Sequence, residues 1–137
     1  MADLTITTAN VKPGSTSTIV ERATAGATIT PGMALYRGSS GKMLISHCET
    51  SAATAVVSHI ALTGGADTEP IIVIPALNEI AIGATLTVGQ IYILSTSGLI
   101  CPVSDLATSD WVTIIGYGKS ASILDFKPQV TGYQKAA

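Results

Sequence analysis

The chain is 137 residues long, the size of one ordinary domain, with 47% apolar and only 12% charged residues. Seven Lys and Arg against nine Asp and Glu give a net charge of −2, which excludes the basic stripe that a nucleic-acid binder needs. Surface charge at about half the usual ~25% does little to hold copies apart, so a partner is expected to cover part of the outer surface.

Residues 1–24 open with "MADLTITTAN", which carries an acid and no apolar h-region, so no signal peptide is expected. "LTITT" and "STIVERA" read as strands separated by a turn at "KPGS". Then "GATITPGMALYRGSSG", Gly26 to Gly41, returns as "GATLTVGQIYILSTSG", Gly83 to Gly98, with seven identities in sixteen ungapped positions and an offset of 57 residues. In the first copy "MALYR" and "KMLIS" flank "GSSG"; in the second "QIYIL" and "LICPV" flank "STSG". Two short apolar runs joined by a Gly/Ser turn predict a β-hairpin in each copy, with Gly41 and Gly98 at positive φ. A strand-like run follows each hairpin, "TAVVSHIAL" or "WVTIIGYGK", then a turn, "TGGADTEP" or "KSAS", then "IIVIP" or "ILDF". "IIVIPALNEIAIGATLTVG" is broken by Pro75, Asn78, Glu79 and Gly83, so it reads as strands and turns and no membrane span is expected. Helical periodicity survives nowhere beyond two turns; one short helical turn is expected near "SDLATSD", capped by Ser104 or Asp105.

Abundant Ile, Val and Thr with 4% aromatics suit a pleated surface. The expectation is a single all-β domain, an antiparallel β-barrel or jelly-roll-like sandwich with an internal pseudo-repeat and at most one or two short helices. Its parts are an N-terminal strand or arm (1–24), a first half (26–74), a second half (83–125) and a C-terminal tail (128–137).

Chemistry is sparse. Phosphate-loop, nucleophile-elbow, His-Glu-x-x-His and Cys-x-x-Cys patterns do not occur. His47 and Cys48 are adjacent and would point to opposite faces of a strand, a poor start for a metal site with His59 or Cys101. Cys48 and Cys101 read as small buried hydrophobes in a reducing compartment, a disulfide being the less favoured alternative. Asp67 and Glu69 in "GGADTEP" read as a solvated turn, with a cation site as the less favoured reading. No catalytic residue, cofactor or metal is expected.

Three phrases carry a family resemblance. Gly26 to Tyr36 follows Gly-x-x-hydrophobic-x-x-Gly-x-x-hydrophobic-Tyr. Ile100 to Leu106 follows hydrophobic-x-Pro-x-x-Asp-Leu. Trp111 to Gly116 follows Trp/Tyr-Val-x-hydrophobic-hydrophobic-Gly. Over residues 10–125 the chain resembles the capsid cement, or decoration, proteins of tailed bacteriophages, with one departure: His59 stands where a glycine like Gly116 is expected. The resemblance implies a small β protein made in the host cytoplasm and added to the outer surface of the virion. There it would bridge copies of the phage major capsid protein as a homodimer or homotrimer at a two-fold or three-fold position, binding neither nucleic acid nor membrane. The expected contacts are Asp3, Leu4, Thr5, Ile6 and Thr7 of the arm, with Arg22, Arg37 and Tyr133. Two other classes are weighed: a carbohydrate-binding β-sandwich on a virion or cell surface, for which one Trp and one Phe are a thin stock, and a small β-barrel enzyme.

Overall fold

A computed structural model describes residues 3–136. Among them there are eleven strands, no α-helix and three single 3-10 turns. In chain order the strands are β1 (Val11–Pro13), β2 (Glu21–Thr24), β3 (Ala34–Arg37), β4 (Met43–Ile45), β5 (His59–Ala61), β6 (Pro70–Pro75), β7 (Asn78–Ile82), β8 (Ile91–Leu94), β9 (Ile100–Pro102), β10 (Trp111–Gly118) and β11 (Ile123–Gln134). They form two antiparallel sheets, β2-β6-β5-β3-β4 and β1-β7-β11-β10-β8-β9. With β1 set aside the two orders are the same, and each sheet is built from one half of the chain.

The register carries the duplication further than the sequence does. In the first hairpin Leu35 pairs with Ile45 and Arg37 with Met43; in the second, Tyr92 pairs with Pro102 and Leu94 with Ile100. Each residue moves by the same 57 positions that separate Gly26 from Gly83. The next strands keep step: Ala34 faces Ile60 as Ile91 faces Tyr117, and Ile60 faces Ile74 as Tyr117 faces Asp125. Eleven residues join Ala61 to Val73 but only five join Gly118 to Leu124, so the sequence match fades there although the strands still correspond. β2 crosses β6 as β7 crosses β11, with Glu21 opposite Val73 and Ile80 opposite Leu124. The repeat therefore takes in Glu21–Thr24, which the sequence reading placed in the arm.

Each sheet curls round its own apolar interior. Ala25, Ile29, Leu35, Met43, Ala61, Ile71 and Val73 fill the first. Their counterparts Ile82, Leu86, Tyr92, Ile100 and Leu124 belong to the larger cluster, which also takes Ala34, Ile60 and Ile74 from the outer face of the first sheet. The first curl closes on itself: Ala25 bridges Met43, and the Gly26 N–H donates to the Met43 carbonyl at 2.8 Å. The second closes through the N-terminal arm. There the carbonyl of Ile100, Met43's counterpart, accepts from the Leu4 N–H at 2.7 Å, and the carbonyl of Gly83, Gly26's counterpart, accepts from the Thr7 N–H at 2.8 Å.

Several local expectations change. "LTITT" forms no strand; the strand is Val11–Pro13, which takes in the first two residues of the expected "KPGS" turn, and the turn follows at Gly14. Proline is tolerated there because β1 is an edge strand with β7 on one side and no strand on the other. Only His59–Ala61 of "TAVVSHIAL" is strand. The 3-10 turn near "SDLATSD" spans Val103–Asp105, so Ser104 and Asp105 lie inside it, and Pro102 at its start makes no side-chain cap. The C-terminal tail continues the last strand: β11 runs to Gln134, with Val130 opposite Thr113 and Gln134 opposite Trp111.

Both hairpin glycines have positive φ, +86° at Gly41 and +74° at Gly98, the region where a Cβ is costly. Their surroundings differ. A Cβ at Gly41 would meet nothing, whereas at Gly98 it would lie 3.0 Å from Ile45 Cγ2 and 3.2 Å from the Ala34 carbonyl oxygen. Gly41→Val is expected to cost about 1–2 kcal/mol, and Gly98→Val about 3 kcal/mol or more because it also wedges the halves apart. Urea titrations of the two variants check the order; equal costs would remove the packing term.

Candidate partner-binding face

One face of the second sheet is left open. β8, β10 and β11 alternate, so Tyr92, Leu124 and Phe126 turn into the core while Ile91, Tyr117 and Asp125 turn outward. Ile91 is 42% and Tyr117 37% exposed, whereas their first-half counterparts Ala34 and Ile60 are fully buried. With Ile114, Lys127 and Gln129 they line a groove of about 290 Å³. Lys127 also borders a second groove of about 440 Å³, where Ile19 and Leu77 stand beside Asn78 and Glu79. Leu77 is 77% exposed and sits at φ +69°, a conformation that favours glycine or asparagine. Its N–H holds the Phe126 carbonyl at 2.8 Å, which fixes the turn between the halves. An apolar side chain held out at a strained position contributes nothing to the core.

A charge ladder crosses this face. Lys119 Nζ lies 2.7 Å from Glu79 Oε1, Glu79 stands opposite Asp125, and Lys127 Nζ is 3.5 Å from Asp125 Oδ2 and 5.7 Å from the Tyr117 ring centroid. The Asp125 carboxylate, bonded to the Tyr117 hydroxyl, holds that phenol above its ordinary range, and Glu79 does the same for the Lys119 ammonium. Apolar side chains framed by paired charges suit protein recognition, the pairs setting orientation more than affinity.

The residues expected to bind a partner fall into four places. Asp3, Leu4, Thr5, Ile6 and Thr7 are docked on the chain's own second half. Leu4 and Ile6 are half-buried against the main core, and two of the segment's N–H groups are already used there. Only the Thr5 and Thr7 side chains face outward, beside a groove of about 530 Å³ that they share with Lys12 and Thr85. Arg22 is exposed on β2 and lines a shallow apolar groove with Pro70 and Ile72. Arg37 bonds the Gly41 carbonyl at 3.0 Å across its own hairpin. Neither arginine makes an ion pair among the described residues. Tyr133 is 75% exposed near the end of β11. The eight residues do not form one site. Ile19, Leu77, Ile91 and Tyr117 were not singled out in the sequence, where an outward apolar residue on a strand looks the same as an inward one until the face is known.

The soft-ligand candidates also separate. His59 bridges Ser58 Oγ at 2.7 Å and Glu21 Oε1 at 2.9 Å; His47 Nδ1 accepts from the Glu49 N–H at 3.4 Å. Asp67 pairs with Lys42 at 3.7 Å, and Glu69 accepts from the Ala66 N–H at 2.6 Å, closing its own turn. Among the described residues no three His, Cys, Asp or Glu side chains gather as a metal-holding group. No helix among them is long and apolar enough to cross a membrane.

Cys48 and Cys101 are buried free thiols. Burial pushes Cys48 up to about 12, with Asp110 adding to it, and Cys101 up to about 11, with Asp3 adding. Both values are raised from 9.0, so between pH 9 and about 11 only the unfolded chain ionises at these sites. The thiols' share of stability is intact below pH 9 and is lost as pH rises through that window. Native protein is expected to resist maleimide at pH 8 and to label at both cysteines in denaturant, because the thiolate is the nucleophile. Rapid native labelling would show that the core opens locally.

No protein-family model matches the chain, and a search of curated proteins finds no matching relative.

Proposed function

We propose that the protein is a capsid cement protein of a tailed bacteriophage. It binds the outer surface of the assembled shell and bridges neighbouring copies of the major capsid protein, as the resemblance of the glycine-framed phrases implies. The observation that carries the reading is the outward apolar end of the molecule, where Ile19, Val20 and Leu77 are 59%, 47% and 77% exposed on a body with few charges to keep it in solution alone. A stiff β body is suited to the task. A ligand that binds the shell and not its free subunits stabilises the shell by mass action, and many bridging copies add avidity.

The free part of residues 1–24 in this reading is Ser15–Val20 rather than the arm. The Ile19 N–H is tied to Asn78 Oδ1 at 2.9 Å, so the Ile19 and Leu77 segments are presented as one rigid unit. The test is co-sedimentation of the full chain with undecorated shells, with shell melting followed by light scattering. Wild type is expected to pellet with shells and raise their melting temperature. Ile19→Asp and Leu77→Asp, folded by circular dichroism, are expected to weaken binding about 10-fold or more. Failure of wild type to bind shells of its own phage would overturn the proposal.

A further inference from the structure

The two halves are joined by a contact that the fold supplies once and leaves half-made a second time. The tip of the second hairpin, Thr96–Gly98, seats on the first half. The Gly98 N–H reaches across to the Ser46 carbonyl at 2.7 Å, and Gly98 packs against Met33, Ala34 and Ile45. Gly98, Ala34 and Ser46 are all buried. Moving each residue by 57 positions gives the counterpart contact: the tip Ser39–Gly41 against Gln90, Ile91, Pro102 and Val103. Within one chain neither side of it is covered by the other. Ser39, Ser40 and Gly41 are exposed, a Cβ at Gly41 would meet nothing, and the Gly41 N–H closes its own turn onto Gly38. On the receiving side Ile91 is 42% and Val103 41% exposed.

At the two most exposed acceptor positions the chemistry runs opposite to the exposure: Ile91 stands for Ala34 and Val103 for Ser46, larger and more apolar, while Gln90 stands for Met33 and Pro102 for Ile45. At Ile91 and Val103 solvation alone would favour the reverse assignment. The two tips are alike in composition, small hydroxyl residues ending on a glycine at positive φ, and differ in backbone, since Ser97 also has positive φ and its counterpart Ser40 does not.

We propose that the open tip of one copy docks on the open acceptor of a second copy, so that chains associate head to tail and repeat between molecules the contact already made between halves. Each copy then uses two different surfaces. The interface is heterologous and builds a ring where the rotation closes or an open chain where it does not. This inference does not rest on shell binding, and its test contains no shell, so the two readings fail separately.

The experiment is light scattering of the full chain after size exclusion, up to about 100 μM. Wild type is expected to associate. Ser40→Trp blocks the tip, and Ile91→Lys blocks the acceptor, with Val103→Glu as a second acceptor variant; each is expected to weaken association at least about 10-fold and leave monomers. All three sites are exposed, so circular dichroism should show native folding. The decisive sample is the equimolar mixture of Ser40→Trp with Ile91→Lys. It retains one intact tip and one intact acceptor, so head-to-tail docking yields a one-to-one dimer that cannot grow. A monomeric wild type overturns the proposal. So do variants that remain associated, and so does a mixture that stays monomeric, which would indicate a two-fold contact between like surfaces.

Discussion

A chain lacking residues 1–10 is expected to melt about 10 °C below the full-length protein, because the arm is part of the second half's wall. The first half closes by a direct bond from Gly26 to Met43; in the second, Leu4 and Thr7 stand between the counterpart groups. Removing them frees the Ile100 and Gly83 carbonyls and uncovers the core against which Leu4 and Ile6 pack. Two backbone bonds at about 1 kcal/mol each are lost, two half-buried aliphatic side chains leave the core and the second seam is left open, so truncation is expected to cost about 3 kcal/mol. For a domain of this size that corresponds to the stated shift. Leu4→Asp is expected to reproduce most of it without changing chain length. Differential scanning calorimetry reads both. A truncated chain that melts with the wild type would mean that the arm is an accessory, free to bind elsewhere, as its sequence first suggested.

The second large effect is expected at Gly116. A Cβ there would collide with the Asp125 carbonyl of β11, and Lys127 N is 3.2 Å from the same point. Its counterpart in the register is His59, which carries a full imidazole. The difference lies in what the strands do next. β10 continues through eight residues against β11, with an irregularity in register between Ile114 and Gly116, and the strands draw close there. β6 ends at Pro75, opposite His59, with no such irregularity in register, and the imidazole is accommodated between Ser58 and Glu21. Gly116→Ala is expected to cost at least about 3 kcal/mol, and Gly116→His to leave little folded protein. His59→Gly loses the bonds to Ser58 and Glu21 and gains chain freedom, for about 1–2 kcal/mol. Chemical denaturation of the three variants checks the asymmetry; a well-tolerated Gly116→Ala would mean that β11 can move aside.

The all-β class, the two hairpins and the positive φ of Gly41 and Gly98 were legible in the sequence because each is a local property. Alternating apolar runs and a Gly/Ser turn specify a hairpin wherever the chain goes next. The duplication was legible only where no insertion intervenes. It faded at the turn after β5, where the first half is longer, and it missed β2 because Glu21–Thr24 and Asn78–Ile82 share a place in the sheet and no residues.

What the sequence by itself determined is therefore two copies of one strand plan, built from β-branched and small residues that can form little else. Only the tertiary structure decided which face of each strand is covered. Ala34 and Ile91 occupy the same place in that plan, as do Ile60 and Tyr117, yet one set is buried and the other open, because a single chain makes the contact between halves once. It also decided that "DLTITT" lies along its own barrel, since the vacancy it occupies exists only after the second sheet has curled. Burial and seam closure depend on residues far apart in the chain, and no local pattern encodes them.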